Sequence, residues 1–258
     1  MAVVAELKSG LASVSFRQMN PPQITALCRR AGLTGIEWGG DVHVPHGDLE
    51  MARRVHELTL EAGLEIAAYG SYYRVGSSEQ DGLSFNRVLG TAQALGAPLI
   101  RVWAGIKSSA RADKAYIHWV SDEAMRIAGL AQEAGIKVAF EYHSGTLTDT
   151  RESAASLMQD SPHPNLYSLW QPPGGWGVSA CLESLESVRP HLLNVHVFHS
   201  ESDAEPRQSL EAGRDRWQAY IEKLRQMGGA RYCLLEFVKD DEPEQLIRDA
   251  TVLHALLQ

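Results

Sequence analysis

The chain has 258 residues, a formal net charge of -8 and 44% hydrophobic residues. That length suits one α/β barrel or two smaller domains, and the apolar share allows a sizeable core. The negative balance argues against nucleic acid or an anionic membrane as default partner, and no apolar run approaches a membrane span. In chain order, strands are predicted at Leu11–Phe16, Gly35–Trp38, Glu65–Tyr69, Leu99–Trp103, Lys137–Tyr142, Leu166–Trp170, Leu192–Phe198 and Tyr232–Val238. Between them lie helical segments, clearest at Pro21–Ala31, Leu49–Ala62, Gln80–Leu95, Lys114–Ala134 and Asp215–Met227, and weakest at Ser179–Val188.

One pattern recurs. "CRRAGLTGIEW", "TLEAGLEIAAY", "AQALGAPLIRV" and "AQEAGIKVAFE" each run from a helix through a glycine (Gly32, Gly63, Gly96, Gly135) into an apolar strand. A glycine at that point supplies the left-handed residue that ends a helix. Their spacing, about one strand-plus-helix unit, predicts a single (β/α)₈ barrel over residues 1–258. An open doubly wound sheet is the rival. The first strand ends "SVSFRQMNPP", without the glycine-rich phosphate turn that its dinucleotide-binding form requires.

Cys28, Cys181 and Cys233 are scattered and form no CxxC pair. They read as buried thiols of a reducing compartment, not as a disulfide framework or a thiolate zinc site. The apolar run in "MAVVAELKSG" is too short for a signal peptide, so a cytoplasmic protein is expected.

In "KVAFEYHSGTLTDT", Val138, Phe140 and Tyr142 alternate with Ala139, Glu141 and His143. A carboxylate on a buried strand face is costly unless paired or bound to a metal. Barrel enzymes place their chemistry at the C-terminal strand ends. There the chain offers Glu37, Arg101 with Trp103, Glu141 with His143, Gln171, His196 and Glu236. Glu141, Gln171, His196 and Glu236 come from four consecutive strands. Such oxygen and imidazole donors suit one divalent ion: Mn²⁺, Mg²⁺, Co²⁺ or Zn²⁺. The plainer alternatives are a buried ion pair for Glu236, a satisfied core histidine for His196 and a turn-capping amide for Gln171. His199 falls on the face opposite His196 and is not paired with it.

The segments "GLTGIEWGGDVH", "ALGAPLIRVWAG", "VAFEYHSGTLTDT", "NVHVFH" and "LLEF" resemble, in order, those of the xylose isomerase-like barrel superfamily, in its sugar phosphate isomerase/epimerase branch. The resemblance covers nearly the whole chain. It implies a metal held by Glu, Asp, His and Glu from the last four strands. Glu141, His196 and Glu236 match three of them, and Gln171 stands where the aspartate is expected. It also implies that Glu141 and Glu236 act as base and acid as well as ligands. The expected activity is a metal-dependent isomerase or epimerase that transfers a proton beside the carbonyl of a sugar, sugar phosphate or polyol through an enediolate. The alternatives are a keto-polyol dehydratase on the same site, and a non-catalytic sugar-binding barrel suggested by Gln171. The endonuclease IV-like branch needs three zinc ions and a DNA surface, which this residue set and charge do not supply.

Glu37, Arg101, Trp103, His143 and Arg207 are the expected substrate contacts; alternatively, Arg101 pairs with Glu37 across the mouth. The loop "DVHVPHGD" offers Asp41, His43, His46 and Asp48 as a lid, a substrate contact or a solvated loop. Tyr72, Tyr73, Trp103 and Trp176 can form an apolar wall for a sugar ring or pack the rim. The expected partner is a small carbohydrate, with no nucleic acid and no membrane. A homo-oligomer is left open.

Overall fold

Gly32, Gly63, Gly96 and Gly135 take φ of +68°, +71°, +71° and +70°, the left-handed turn their context predicts. They close α1 (Pro21–Arg30), α2 (Leu49–Glu61), α3 (Phe85–Leu95) and α4 (Lys114–Glu133). The helices begin on side-chain caps. Asn20, Asp48, Ser84, Asp113 and Thr150 each accept a hydrogen bond from the third residue beyond, each contributing about 1 kcal/mol. The computed structural model describes residues 5–202 and 205–258.

The strands are β1 (Ala5–Ala12), β2 (Gly35–Gly39), β3 (Glu65–Arg74), β4 (Leu99–Trp103), β5 (Lys137–Glu141), β6 (Leu166–Trp170), β7 (Leu192–Val197) and β8 (Gly229–Leu235). Among the described residues they form a closed parallel barrel in chain order. Pairing of β1 with β8, from Ala5 against Gly229 to Leu11 against Leu235, closes the ring. Helices α5 (Arg151–Asp160), α6 (Val178–Ser187), α7 (Arg214–Met227) and α8 (Pro243–Leu257) complete the outer layer. In α8, Leu246, Ala250 and Leu253 recur at helical spacing and are fully buried. No helix among the described residues is long and apolar enough to cross a membrane.

Several boundaries differ from the sequence reading; β3, expected to end at Tyr69, runs on to Arg74. The first strand is Ala5–Ala12, and Ser13–Phe16 is a 3₁₀ turn. The polar "AELKS" does not look like a strand, yet its charged side chains lie at the lower mouth, where Lys8 meets Glu65 at 2.9 Å. Beyond the strand, hydroxyls replace the ladder: Ser13 Oγ accepts from Gly39 N at 2.8 Å, and Ser15 Oγ from Phe237 N at 3.0 Å. The last strand ends at Leu235 because Phe237 takes a left-handed φ of 51°. Helix α3 starts at Phe85, after the Ser84 cap, and not at Gln80. The weak sixth helix is present, at Val178–Ser187. Residues 203–204, in the polar stretch that carries Arg207, lie outside the described residues, as do residues 1–4.

Inside the barrel, Ala68, Leu99, Ala139 and Leu169 form a small apolar layer. It is a floor. Register places the charged residues one step above it: Glu37 beside Ala68, Arg101 beside Ala139, and Glu141 beside Leu169.

Candidate metal centre

Five ionisable residues meet on that floor. Glu37, Arg101, Glu141, His196 and Glu236 are 1%, 1%, 2%, 0% and 4% exposed. Glu37 lies in β2, Arg101 in β4, Glu141 at the end of β5 and His196 in β7. Glu236 follows β8 directly, its N donating to Val197 O at 3.0 Å.

One atom each from Glu141, His196 and Glu236 lies within 4.8 Å of the others. His196 Nδ1 is 3.1 Å from Glu236 Oε2 and 3.4 Å from Glu141 Oε1. Neither approach has hydrogen-bond geometry, so Nδ1 and Glu236 Oε2 are buried without a partner. Gln171 Oε1, just past β6, is also buried and unpartnered. Unmatched buried polar atoms are rare in folded proteins and point to a missing ligand or water. The donor set of carboxylate oxygen, imidazole nitrogen and amide oxygen fits a divalent ion.

Electrostatics agree. Three carboxylates face one guanidinium. With neutral His196 the cluster carries an excess of negative charge, relieved by a proton on the imidazole or by a cation in its place. Burial alone raises the Glu141 carboxyl, but the Arg101 guanidinium and the His196 imidazole outweigh it and hold it well below the usual carboxylate range. Burial also raises Glu37, and the same two partners bring it below its ordinary value. For His196 burial favours the neutral ring, but Glu236 and Glu37 overcome it and raise the imidazole well above its ordinary value.

Glu37 and Arg101 were expected at the substrate, with their mutual pairing as the alternative. The structure shows the pairing, with both residues buried. Arg101 Nε donates to Glu37 Oε1 at 2.7 Å, and Nη1 donates to Glu141 Oε2. Trp103 Nε1 donates to the same Glu141 oxygen at 2.5 Å. Gly70 makes the room. A Cβ there would stand 2.7 Å from Arg101 Nη2 and 2.8 Å from Glu37 Oε1. The His143 ring lies against Trp103 with centroids 4.7 Å apart.

Above the floor opens a cavity of about 350 Å³, lined by His143, Gln171, Trp176, Phe198, Arg207 and Phe237, among others. Its lining includes Tyr142 and His143, which follow Glu141 in the chain, Phe237, which follows Glu236, and Gln171, just past β6. Arg207 stacks over Phe237 at 4.2 Å and pairs with Asp241 at 2.9 Å. Phe198 meets Phe237 edge-on. These two phenylalanines escaped the sequence reading. The left-handed φ of Phe237, rare for a bulky residue, had no sequence signal.

The other candidates disperse. His43 is bonded to Ser13 Oγ and near the Phe16 and Met19 carbonyls; His46 reaches Ser71 O; Asp48 caps α2; Asp41 pairs with Arg17. That loop is tied to the scaffold. Tyr73 is buried and donates to Glu123, whereas the Tyr72 ring lies over Arg101 and meets Trp103 edge-on. His199 lies near Glu201 at 3.5 Å, apart from His196.

A closed eight-stranded barrel with a buried Glu–His–Glu constellation at its C-terminal mouth belongs to the class of barrels that build their sites on strand ends. The chain is a member of the xylose isomerase-like TIM barrel family, whose sequence profile matches residues 25–255. No curated protein gives a significant sequence match. Among solved structures, the probable 3-DHS dehydratase AsbF involved in petrobactin synthesis from Bacillus anthracis superposes with a TM-score of 0.80 at 22% identity, over 96% of this chain and 98% of that one. The IOLI protein with a bound zinc atom gives 0.76 at 17%, over 97% and 98%. The E. coli 3-keto-D-glucoside 4-epimerase YcjR gives 0.72 at 17%, over 97% and 99%. At these identities the likeness is one of fold.

Proposed function

We propose that this protein is a divalent-metal-dependent isomerase or epimerase that moves a proton beside the carbonyl of a sugar, sugar phosphate or polyol. The observation that carries this reading is the convergence of Glu141, His196 and Glu236, with His196 Nδ1 and Glu236 Oε2 buried and unpartnered, while the residues that follow Glu141 and Glu236 in the chain line a cavity. Glu141, His196 and Glu236 would hold the ion, with Gln171 as a neutral fourth donor. A bound dication supplies a Lewis acid that polarises the carbonyl.

The two glutamates are not equivalent. Glu141 has one oxygen engaged by Arg101 and Trp103 and is held ionised, which makes it a weak base and a firm ligand. Glu236 has an oxygen with no hydrogen-bond partner. We assign proton abstraction to Glu236 and the ligand role to Glu141, which is held ionised and has no proton to give; the proton returns from Glu236 to the neighbouring carbon in isomerisation, or from water on the opposite face in epimerisation. The electrons left by the departing proton pass to the carbonyl oxygen, and reprotonation at the same or the neighbouring carbon completes epimerisation or isomerisation. Trp103, His143 and Arg207 are proposed substrate contacts, and Phe198 and Phe237 an apolar wall. The carbohydrate reading draws support from the 3-keto-D-glucoside 4-epimerase among the structural relatives.

The test is turnover of ketoses, their phosphates and keto-polyols with Mn²⁺ or Mg²⁺ in heavy water, read by mass and NMR. Solvent deuterium beside the carbonyl is expected, with loss of turnover in Glu236→Gln. Turnover without label would sink the proton-transfer route. A product lighter by one water would make the enzyme a lyase using the same first step.

A further inference from the structure

We infer that Glu37 and Arg101 are positioning residues of this centre: Glu37 orients His196 so that Nδ1 is its ligand nitrogen, and Arg101 orients Glu141 so that Oε1 is its ligand oxygen. Both roles depend on the metal proposed above. Both are 1% exposed, and their side chains are engaged by the cluster itself.

The chemistry follows from donor counting. Glu37 Oε2 is 3.3 Å from His196 Nε2. An ionised carboxylate can only accept, so Nε2 carries the hydrogen. A neutral imidazole protonated at Nε2 has its lone pair on Nδ1, the atom that faces Glu141 and Glu236 without a hydrogen-bond partner. A carboxylate behind a ligating histidine fixes both ring orientation and tautomer. The other Glu37 oxygen is held by Arg101 Nε at 2.7 Å, so the carboxylate cannot rotate freely. Arg101 then reaches Glu141 through Nη1 and, with Trp103, engages Oε2. Oε1 is left facing His196 Nδ1. The Tyr72 ring stacks on the guanidinium at 4.8 Å, and bare Gly70 admits the whole pair. Strands β2 and β4 thus aim the ligands that β5 and β7 carry.

The experiment uses the full chain with ¹⁵N-labelled histidine, His196 being assigned by comparison with His196→Gln. In the metal-free wild type, a protonated, slowly exchanging Nε2 is expected; Glu37→Ala should lose that slow exchange. Zn²⁺ affinity, measured by chelator competition, should fall about 10–100-fold in Glu37→Ala and in Arg101→Lys, a loss typical of removing such a support. Glu37→Gln, which keeps an acceptor oxygen, should fall between wild type and Glu37→Ala, and serves if the alanine variant does not fold. If wild type takes Zn²⁺ and the folded Glu37 variants take it equally well, or if wild-type Nε2 bears no proton, the positioning role is overturned while the metal centre stands. If wild type takes no Zn²⁺, Mn²⁺ or Mg²⁺, the functional reading fails and the positioning role with it.

Discussion

Arg101 Nε donates to Glu37 Oε1 over 2.7 Å in the interior of the barrel, joining β2 to β4. The same guanidinium donates to Glu141 on β5, so one cation offsets two buried carboxylates. Removing one partner of a buried ion pair costs about 3–5 kcal/mol, because the survivor is left uncompensated. Arg101→Met is therefore expected to lower unfolding free energy by about that much, as read by urea denaturation in the presence of chelator. A loss below about 1 kcal/mol, the scale of an exposed pair, would show that water reaches the cluster freely.

Gly70 is expected to tolerate no side chain. The nearest atoms to an added Cβ are Arg101 Nη2 and Glu37 Oε1, at 2.7 and 2.8 Å. Both belong to a clamped pair that cannot move aside without breaking its hydrogen bonds. Gly70→Ala should cost about 1–3 kcal/mol, the usual scale for overpacking, and should weaken metal binding as well. Wild-type stability and affinity would mean that Arg101 has another rotamer available.

A metal that binds only the folded chain raises stability by about 2.7 kcal/mol at one hundred times its Kd. Added Mn²⁺ should raise the Tm, and chelator should lower it. Glu236→Ala should abolish the shift, since it removes one of three converging donors. Gln171→Asp should enlarge it, because a hard dication prefers a charged oxygen to an amide. An unchanged shift in Gln171→Asp would show that this residue serves the cavity and not the ion.

Acid sensitivity should begin with histidine. Burial lowers His43, His46 and His199 below the ordinary value of 6.5. As pH falls through 6.5 the unfolded chain takes up protons that the folded one refuses, so their contribution is fully present above that pH and lost below it. His43 is the deepest in the scaffold, held by Ser13. The urea midpoint should fall between pH 7.5 and 5, and fall less in His43→Gln. Equal slopes in both proteins would assign the acid sensitivity elsewhere.

The barrel was legible because its signals are local. A glycine after each of four helices, apolar strands of about five residues and a regular repeat depend only on neighbouring residues, and the structure places Gly32, Gly63, Gly96 and Gly135 in the left-handed turn those signals require. Glu141, His196 and Glu236 could be picked out for a similar reason: each is a costly polar residue on a face that must be buried. The first strand was misread because its polar residues, Lys8 among them, become acceptable only at the open lower mouth of a closed ring.

By itself, the sequence determined the order of elements, the closure into one barrel family and the three residues that converge at its mouth. Only the tertiary structure decided what those residues do to one another. Glu37 and Arg101 are 64 positions apart, and the sequence could offer their pairing only as an alternative to substrate contact. Which nitrogen of His196 faces the centre and which oxygen of Glu141 is already engaged are set by strand register and by the space that Gly70 leaves. Such choices depend on distances of a few ångströms between strands, because a hydrogen bond or a metal contact is made or lost within that range.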